Sequence, residues 1–201
     1  MGLEYIVPPI SPQAASHDHE DVHPEGTHVR PRVGFISRMN KRLLLNEAEL
    51  VIALRRRGFD VEVLHLELLP LYEQIRMFRS LNVLVGVHGS GLSNTMFMHP
   101  GTSVVQIVPY HVTGAASFFQ PTAAANQVKY YEITPTEREE TTPHFHFLSK
   151  LHQGHVEEDL ERGPQSGQSA TFFSFWINQD TSINPEALAD TVSKAYQPQQ
   201  Q

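Results

Sequence analysis

The chain has 201 residues, a formal net charge of −7, 40% hydrophobic residues and no cysteine. Such a length suits one domain, or one and a fraction, and the missing cysteines exclude disulfides, thiolate catalysis and cysteine-bound zinc or iron–sulfur centres. The acidic balance argues against nucleic acid as a partner, which needs a basic face, but leaves room for a local basic pocket that holds one diphosphate. No run approaches the ~18 apolar residues of a membrane span. Met1–Tyr5 lack the basic and apolar regions of a signal peptide, so any membrane anchor is expected outside this chain.

In chain order, residues 3–7 (LEYIV) suit a short strand. Residues 8–31 are a polar break punctuated by Pro8, Pro9, Pro12, Pro24 and Pro31. A strand is predicted over 32–37, followed by a helix that Asn46 and Glu49 open as a capping-box pair. Leu50, Val51 and Leu54 make its buried face and Gly58 stops it. A second strand covers 61–66. Pro70 then opens a helix whose apolar face is Leu71, Ile75 and Phe78. Residues 81–87 (LNVLVGV) are apolar almost throughout, as in a parallel strand covered on both faces. His88-Gly89-Ser90-Gly91 is a turn, residues 91–98 a short helix, and 103–108 the next strand. Residues 111–127 have no clear reading and 128–133 suit another strand. At the end, 172–177 reads as a strand. Asn184-Pro185 caps a helix with Leu188, Val192 and Ala195 toward the core.

The alternation over 32–109 implies parallel strands with right-handed crossovers, hence an α/β fold with a Rossmann-like doubly wound sheet. The domain reading is a leader at 1–31, with a short strand and a disordered His/Asp/Pro-rich loop. A Rossmann-like domain follows at 32–133 and a flexible insertion at 134–170. A closing strand and helix of the same domain occupy 171–196, and 197–201 is a tail.

In open parallel sheets, ligands bind at the carboxyl ends of strands where the strand order reverses. Two segments fall at such ends. Gly89, Ser90 and Gly91 let backbone N–H groups approach an anion, the following helix offers its positive end, and His88 adds a donor. Arg38, Lys41 and Arg42 follow the first strand, and arginine forks suit phosphate oxygens. Competing motifs fail. There is no Gly-Lys-Ser/Thr for a P-loop, and Gly89-x-Gly91-x-x ends in Asn94 instead of glycine. Ser90 has His88 and Leu92, not the glycines of a nucleophile elbow, two residues to either side, and an esterase that uses HGSG as its oxyanion loop would need that serine elsewhere. The histidines at 17, 19, 23 and 28, among Asp18, Glu20, Asp21 and Glu25, match no compact metal spacing; nor do His144, His146, His152 and His155. Phe172, Phe173, Phe175 and Trp176 suit core or interdomain contact.

Several pieces carry a resemblance: Arg38-x-x-x-Arg42, Asn46-Glu47-x-Glu49-Leu50, Gly58-Phe59-x-Val61, Glu73-Gln74-Ile75, Val85 to Asn94 (VGVHGSGLSN), Phe97-Met98-x-Pro100-Gly101 and Ile107-x-Pro109. In this order and spacing the run resembles the carboxyl-terminal part of glycosyltransferase family 61, which includes EGF-domain-specific O-linked N-acetylglucosamine transferases and plant xylosyltransferases. The resemblance covers about residues 32–133, and Ser90 departs from it where the family often has alanine. It implies the second, nucleotide-sugar-binding half of a GT-B-type enzyme, inverting and independent of a metal or other cofactor. Such an enzyme passes a sugar from a nucleotide-sugar, with a UDP-sugar the expected donor, to a hydroxyl of a protein or glycan acceptor. By the same resemblance Arg38, Arg42, His88, Gly89, Ser90, Gly91 and Asn94 bind the donor diphosphate, with Asn94 holding the turn or touching the donor. The general base has no candidate here, although Glu47 and Glu73 match family positions. The resemblance places such an enzyme in the ER or Golgi lumen, while the chain itself carries no targeting signal that selects a compartment. The alternative reading is a truncated, non-catalytic nucleotide-binding or interaction domain.

Overall fold

The computed structural model describes residues 30–110, 112, 114, 116–135, 141–142 and 176–196. Five parallel strands form one sheet: β1 (Arg32–Ile36), β2 (Asp60–Leu64), β3 (Val83–Val87), β4 (Ser103–Ile107) and β5 (Lys129–Ile133), in the order β2-β1-β3-β4-β5. The helices are α1 (Glu47–Arg56), α2 (Leu71–Arg79), α3 (Ala116–Ala125) and α4 (Pro185–Ala195), with a 3₁₀ turn at Leu66–Leu68 and a 3₁₀ helix at Ser90–Phe97. Two short strands, β6 (Thr141–Thr142) and β7 (Asp180–Thr181), pair antiparallel beside the sheet.

Side-chain alternation on the central strands builds two cores. Val33, Phe35, Val83, Val85, Val87, Val105 and Ile107 point to one face, where α1 and α4 cover them with Leu50, Leu54, Leu188 and Val192. Ile36, Leu84 and Val104 point to the other, beneath Phe78 of α2, Leu92 of the 3₁₀ helix and Phe119 and Ala123 of α3. Both faces are therefore dry, which is why β3 and β4 are buried at every residue. Fully burying one such aliphatic side chain is worth about 1.5–3 kcal/mol.

Helix boundaries follow local chemistry. Gly58 has φ +90° and ends α1 in a Schellman arrangement: Phe59 N–H donates to Leu54 O and Gly58 N–H to Arg55 O. Asn184 caps α4 as predicted, accepting from the N–H groups of Glu186 and Ala187 at 3.0 and 3.1 Å. Asn46 departs from its prediction. It precedes α1 but makes no side-chain cap; its amide instead donates to Ile183 O at 2.8 Å and accepts from Ile183 N–H at 3.3 Å. A tertiary partner has displaced the local one.

Other expectations are corrected as well. The second strand stops at Leu64, and the 3₁₀ turn takes up Leu66. Leu71 is exposed, so the buried contact of α2 is Phe78. The short helix expected at 91–98 is 3₁₀ and begins at Ser90. Residues 111–127, unread from sequence, include α3. Trp176 and Ile177 are helical instead of extended, and Trp176 is buried. The strand read at 3–7, both histidine clusters, Phe172, Phe173, Phe175 and the tail lie outside the described residues.

The carboxyl ends of β1 and β3 lie side by side, and the chain leaves them toward opposite faces of the sheet: from β1 into α1, from β3 into the 3₁₀ helix. That divergence opens a crevice, the usual ligand position for this topology. The sheet has little slack below it. A Cβ on Gly34 would meet Leu81 inside contact distance and Leu64 at 2.9 Å. Gly34→Val is expected to cost about 1–3 kcal/mol by overpacking, read as a lower urea midpoint with an unchanged m-value.

Candidate functional site

The crevice is built from the loop after β1 and the turn after β3. Gly89 has φ 162°, extended backbone open to any residue, so conformation is not the reason for glycine there. Space is. A Cβ on Gly89 would lie 3.1 Å from Arg42 Nη1 and 3.3 Å from Arg38 Nη1. Two guanidinium groups thus converge on one bare backbone position.

Arg42 is held from several sides. Its φ of +58° is left-handed, a conformation that costs a residue with a Cβ about 1–2 kcal/mol, and its Nη1 donates to the His88 carbonyl at 2.7 Å. Its Nε is buried with no hydrogen-bond partner. Burial, then the Arg38 charge, lowers its pKa; a guanidinium nonetheless stays protonated at neutral pH. Lys41 is shifted the same way, by burial first and then by Arg42 and Arg38. Among the described residues the ion pairs are Arg32–Glu62, Arg57–Glu186 and Arg57–Asp190, so none of these three cations is neutralised by a carboxylate there.

Beside the cations runs a cleft of about 230 Å³ lined by Arg38, Ser90, Gly91, Asn94, Gln74 and Glu67, with Ile36 and Leu66. The first helical bond here is Leu92 N–H to Gly89 O at 2.9 Å, which leaves the N–H groups of Ser90 and Gly91 outside that ladder at its positive end. Asn94 Nδ2 donates to Gly91 O at 3.1 Å, so its side chain holds the turn. Gly91 fits because a Cβ would press on Ile36 and Leu66, both at 3.3 Å.

His88 sits deeper than sequence reasoning supposed. It is buried, its ring lies edge-on to Phe118 and Phe119 at 5.3 and 5.1 Å, and its Nδ1 is 3.2 Å from Gln106 Nε2. Burial and, secondarily, the Arg42 charge lower its pKa to about 4, against a smaller opposing effect of Gln106. The imidazole is neutral at physiological pH. What the structure shows it giving to the crevice is its carbonyl, the acceptor that anchors Arg42. Gln106 and Phe118 were missed from sequence because neither belongs to a motif; the one available signal was a polar residue inside the apolar run of β4. No serine hydroxyl bonds a histidine among the described residues, so the esterase reading finds no Ser–His pair there.

Comparison with known proteins follows the same residues. The pattern described as Glycosyltransferase 61 matches residues 5–105, starting earlier and ending sooner than the resemblance read from motifs. A xylan glycosyltransferase of Arabidopsis thaliana is 36% identical over 115 residues, 54% of this chain and 23% of its own length. A beta-1,2-xylosyltransferase of Oryza sativa subsp. japonica is 35% identical over 130 residues, 63% of this chain and 23% of its own. The human protein O-linked-mannose beta-1,4-N-acetylglucosaminyltransferase 2 is 27% identical over 178 residues, 79% of this chain and 30% of its own. The chain therefore spans less than a third of the length of these relatives. No helix among the described residues is long and apolar enough to cross a membrane.

The depressed His88 pKa makes a signed prediction. Between pH ~6.5 and ~4 the unfolded chain binds a proton that the fold rejects, so this group's effect on stability is nil above pH ~6.5 and grows unfavourable as pH falls, at ~1.4 kcal/mol per unit. Urea unfolding at pH 7 and pH 4.5 should show the loss. In His88→Gln the gap between the two pH values should shrink by about 2–3 kcal/mol; an equal gap would place the titration on another group.

Proposed function

The chain belongs to the glycosyltransferase 61 family, and from that premise and the cationic crevice we propose that it forms the donor-binding half of a GT-B-type glycosyltransferase. The donor is a nucleotide-sugar, of which a UDP-sugar fits best, and the acceptor is a hydroxyl of a protein or glycan. The observation that carries this is the convergence of Arg38 and Arg42 on Gly89 with no carboxylate partner among the described residues. A pyrophosphate supplies the missing counter-charge, accepts from both guanidinium forks and reaches the free amides of Ser90 and Gly91.

In the proposed reaction the acceptor oxygen attacks the anomeric carbon from the face opposite the departing UDP, which inverts that centre. Negative charge grows on the diphosphate as its bond to the sugar breaks. Cations already fixed in place stabilise that charge without reorganising, the part a divalent metal plays in other transferases. Arg38 and Arg42 are assigned to the phosphates, the Ser90 and Gly91 amides to the same oxygens, Gly89 to the bare floor and Asn94 to the turn. His88 acts through its carbonyl on Arg42. The deprotonating base for the acceptor is assigned to no residue of this chain. The plant xylan enzymes and the O-mannose N-acetylglucosaminyltransferase lead us to place the reaction on glycans or glycoproteins in the ER or Golgi lumen.

Calorimetric titration with UDP tests the reading. The Arg38→Ala, Arg42→Ala double variant should lose at least tenfold in affinity, since charge-assisted bonds are worth about 1.5–3 kcal/mol each. Gly89→Ala should weaken UDP while shifting Tm little, because its Cβ presses on the two cations and not on the core. Unchanged UDP affinity in the double variant rejects the site. UDP binding without UDP release from any UDP-sugar would favour the non-catalytic reading instead.

A further inference from the structure

The loop that carries Arg42 is tied down by a segment far away in sequence. Leu43 N–H donates to Asp180 Oδ1 at 2.8 Å. Thr181 N–H donates to Leu43 O, and Leu45 N–H to Thr181 O, each at 2.9 Å. Asn46 closes the row with its two bonds to Ile183. Thr181 and Ile183 are buried, and α4, directly after them, is packed into the core through Leu188 and Val192. The tether is therefore a fixed point, and the loop is what it restrains.

Within this row one bond falls directly beside Arg42. The main-chain bonds begin at Leu43 O and run away from the cations. The Leu43 N–H belongs to the peptide immediately after Arg42, and it is taken by a side chain, that of Asp180. Fixing this peptide fixes ψ of Arg42, whose φ is already left-handed at +58°. Without a restraint there, an arginine would relax toward the right-handed or extended regions, and its guanidinium would leave Gly89.

We propose that Asp180 is a positioning residue for the diphosphate site: by accepting the Leu43 N–H, it holds Arg42 in the conformation that lays its guanidinium over Gly89. This rests on the reading of the crevice as a diphosphate site. Asp180 lies well beyond the span matched by the family pattern, which ends at residue 105.

The experiment pairs UDP titration with amide hydrogen exchange on the 201-residue chain. Asp180→Ala should weaken UDP about tenfold, whereas Asp180→Asn, which keeps an acceptor oxygen, should stay within about threefold of wild type. In an Arg42→Ala background, Asp180→Ala should add less than about twofold, because both changes remove the same contact. The Leu43 amide should lose protection in Asp180→Ala while the Val85 and Val105 amides keep theirs, which separates lost positioning from general unfolding. If Asp180→Ala does not fold, Asp180→Val replaces it, a strand-forming side chain without an acceptor. Wild-type affinity in the folded alanine or valine variant, or full additivity with Arg42→Ala, overturns the proposal. If wild type itself binds no UDP, the diphosphate reading fails; retained Leu43 protection in the variant would then overturn the positioning claim as well.

Discussion

Repulsion between Arg38 and Arg42 is the constraint on which the crevice depends. Burial and the Arg38 charge both disfavour the charged form of Arg42. No carboxylate among the described residues forms an ion pair with either of the two; those that pair with arginine do so elsewhere, at Arg32 and Arg57. The arrangement persists because Arg42 has little freedom to leave, with its Nη1 on the His88 carbonyl and its backbone in a left-handed state. An anion bound between the forks turns the repulsion into attraction. On the proposed reading, that relief is what a diphosphate brings to the crevice.

The surroundings are consistent with that economy. A further cation on His88 would add to the repulsion, and burial of the ring against Phe118 and Phe119 keeps it neutral. Gln106, on the same face of β4 as Val104, meets the imidazole at Nδ1. The 3₁₀ helix Ser90–Phe97 carries no fully charged side chain, whereas Arg38 and Arg42 each carry one. The electrostatic weight therefore falls on the arginines, and the contribution of the turn is mostly its two open N–H groups and the missing side chain of Gly89.

The alternation of β and α over residues 32–109 was legible because both faces of the sheet are covered, so the central strands read as unbroken apolar runs and the helices as periodic stripes. Arg38, Arg42 and the HGSG turn could be placed at strand ends from the same pattern, and strand order then brings those ends together. Local signals failed where a distant partner wins. Asn46 has the spacing of a cap, yet Ile183 offers it two bonds in place of one. Leu71 fits the apolar period of α2 but falls beyond the edge of the core. His88 looked like a donor because sequence shows residue type and not depth; its side chain is spent on packing, and its carbonyl, an acceptor, anchors Arg42 instead of meeting an anion. Asp180 gave no signal at all, since its role is defined only by a contact with a residue 137 positions away.

That distance has a consequence for how the site forms. A long-range closure must be made before the loop at 37–46 can adopt its final shape, and such closures are the entropically slow part of folding. The turn at Arg42 is bonded to the segment at Asp180–Ile183, and α4, directly after that segment, buries Leu188 and Val192 in the core of β1, β3 and β4. On the proposed reading, ligand charge feeds back on that contact: an anion that favours the converged arginines also favours the bonded segment, by the reciprocity that any coupling between two sites must obey.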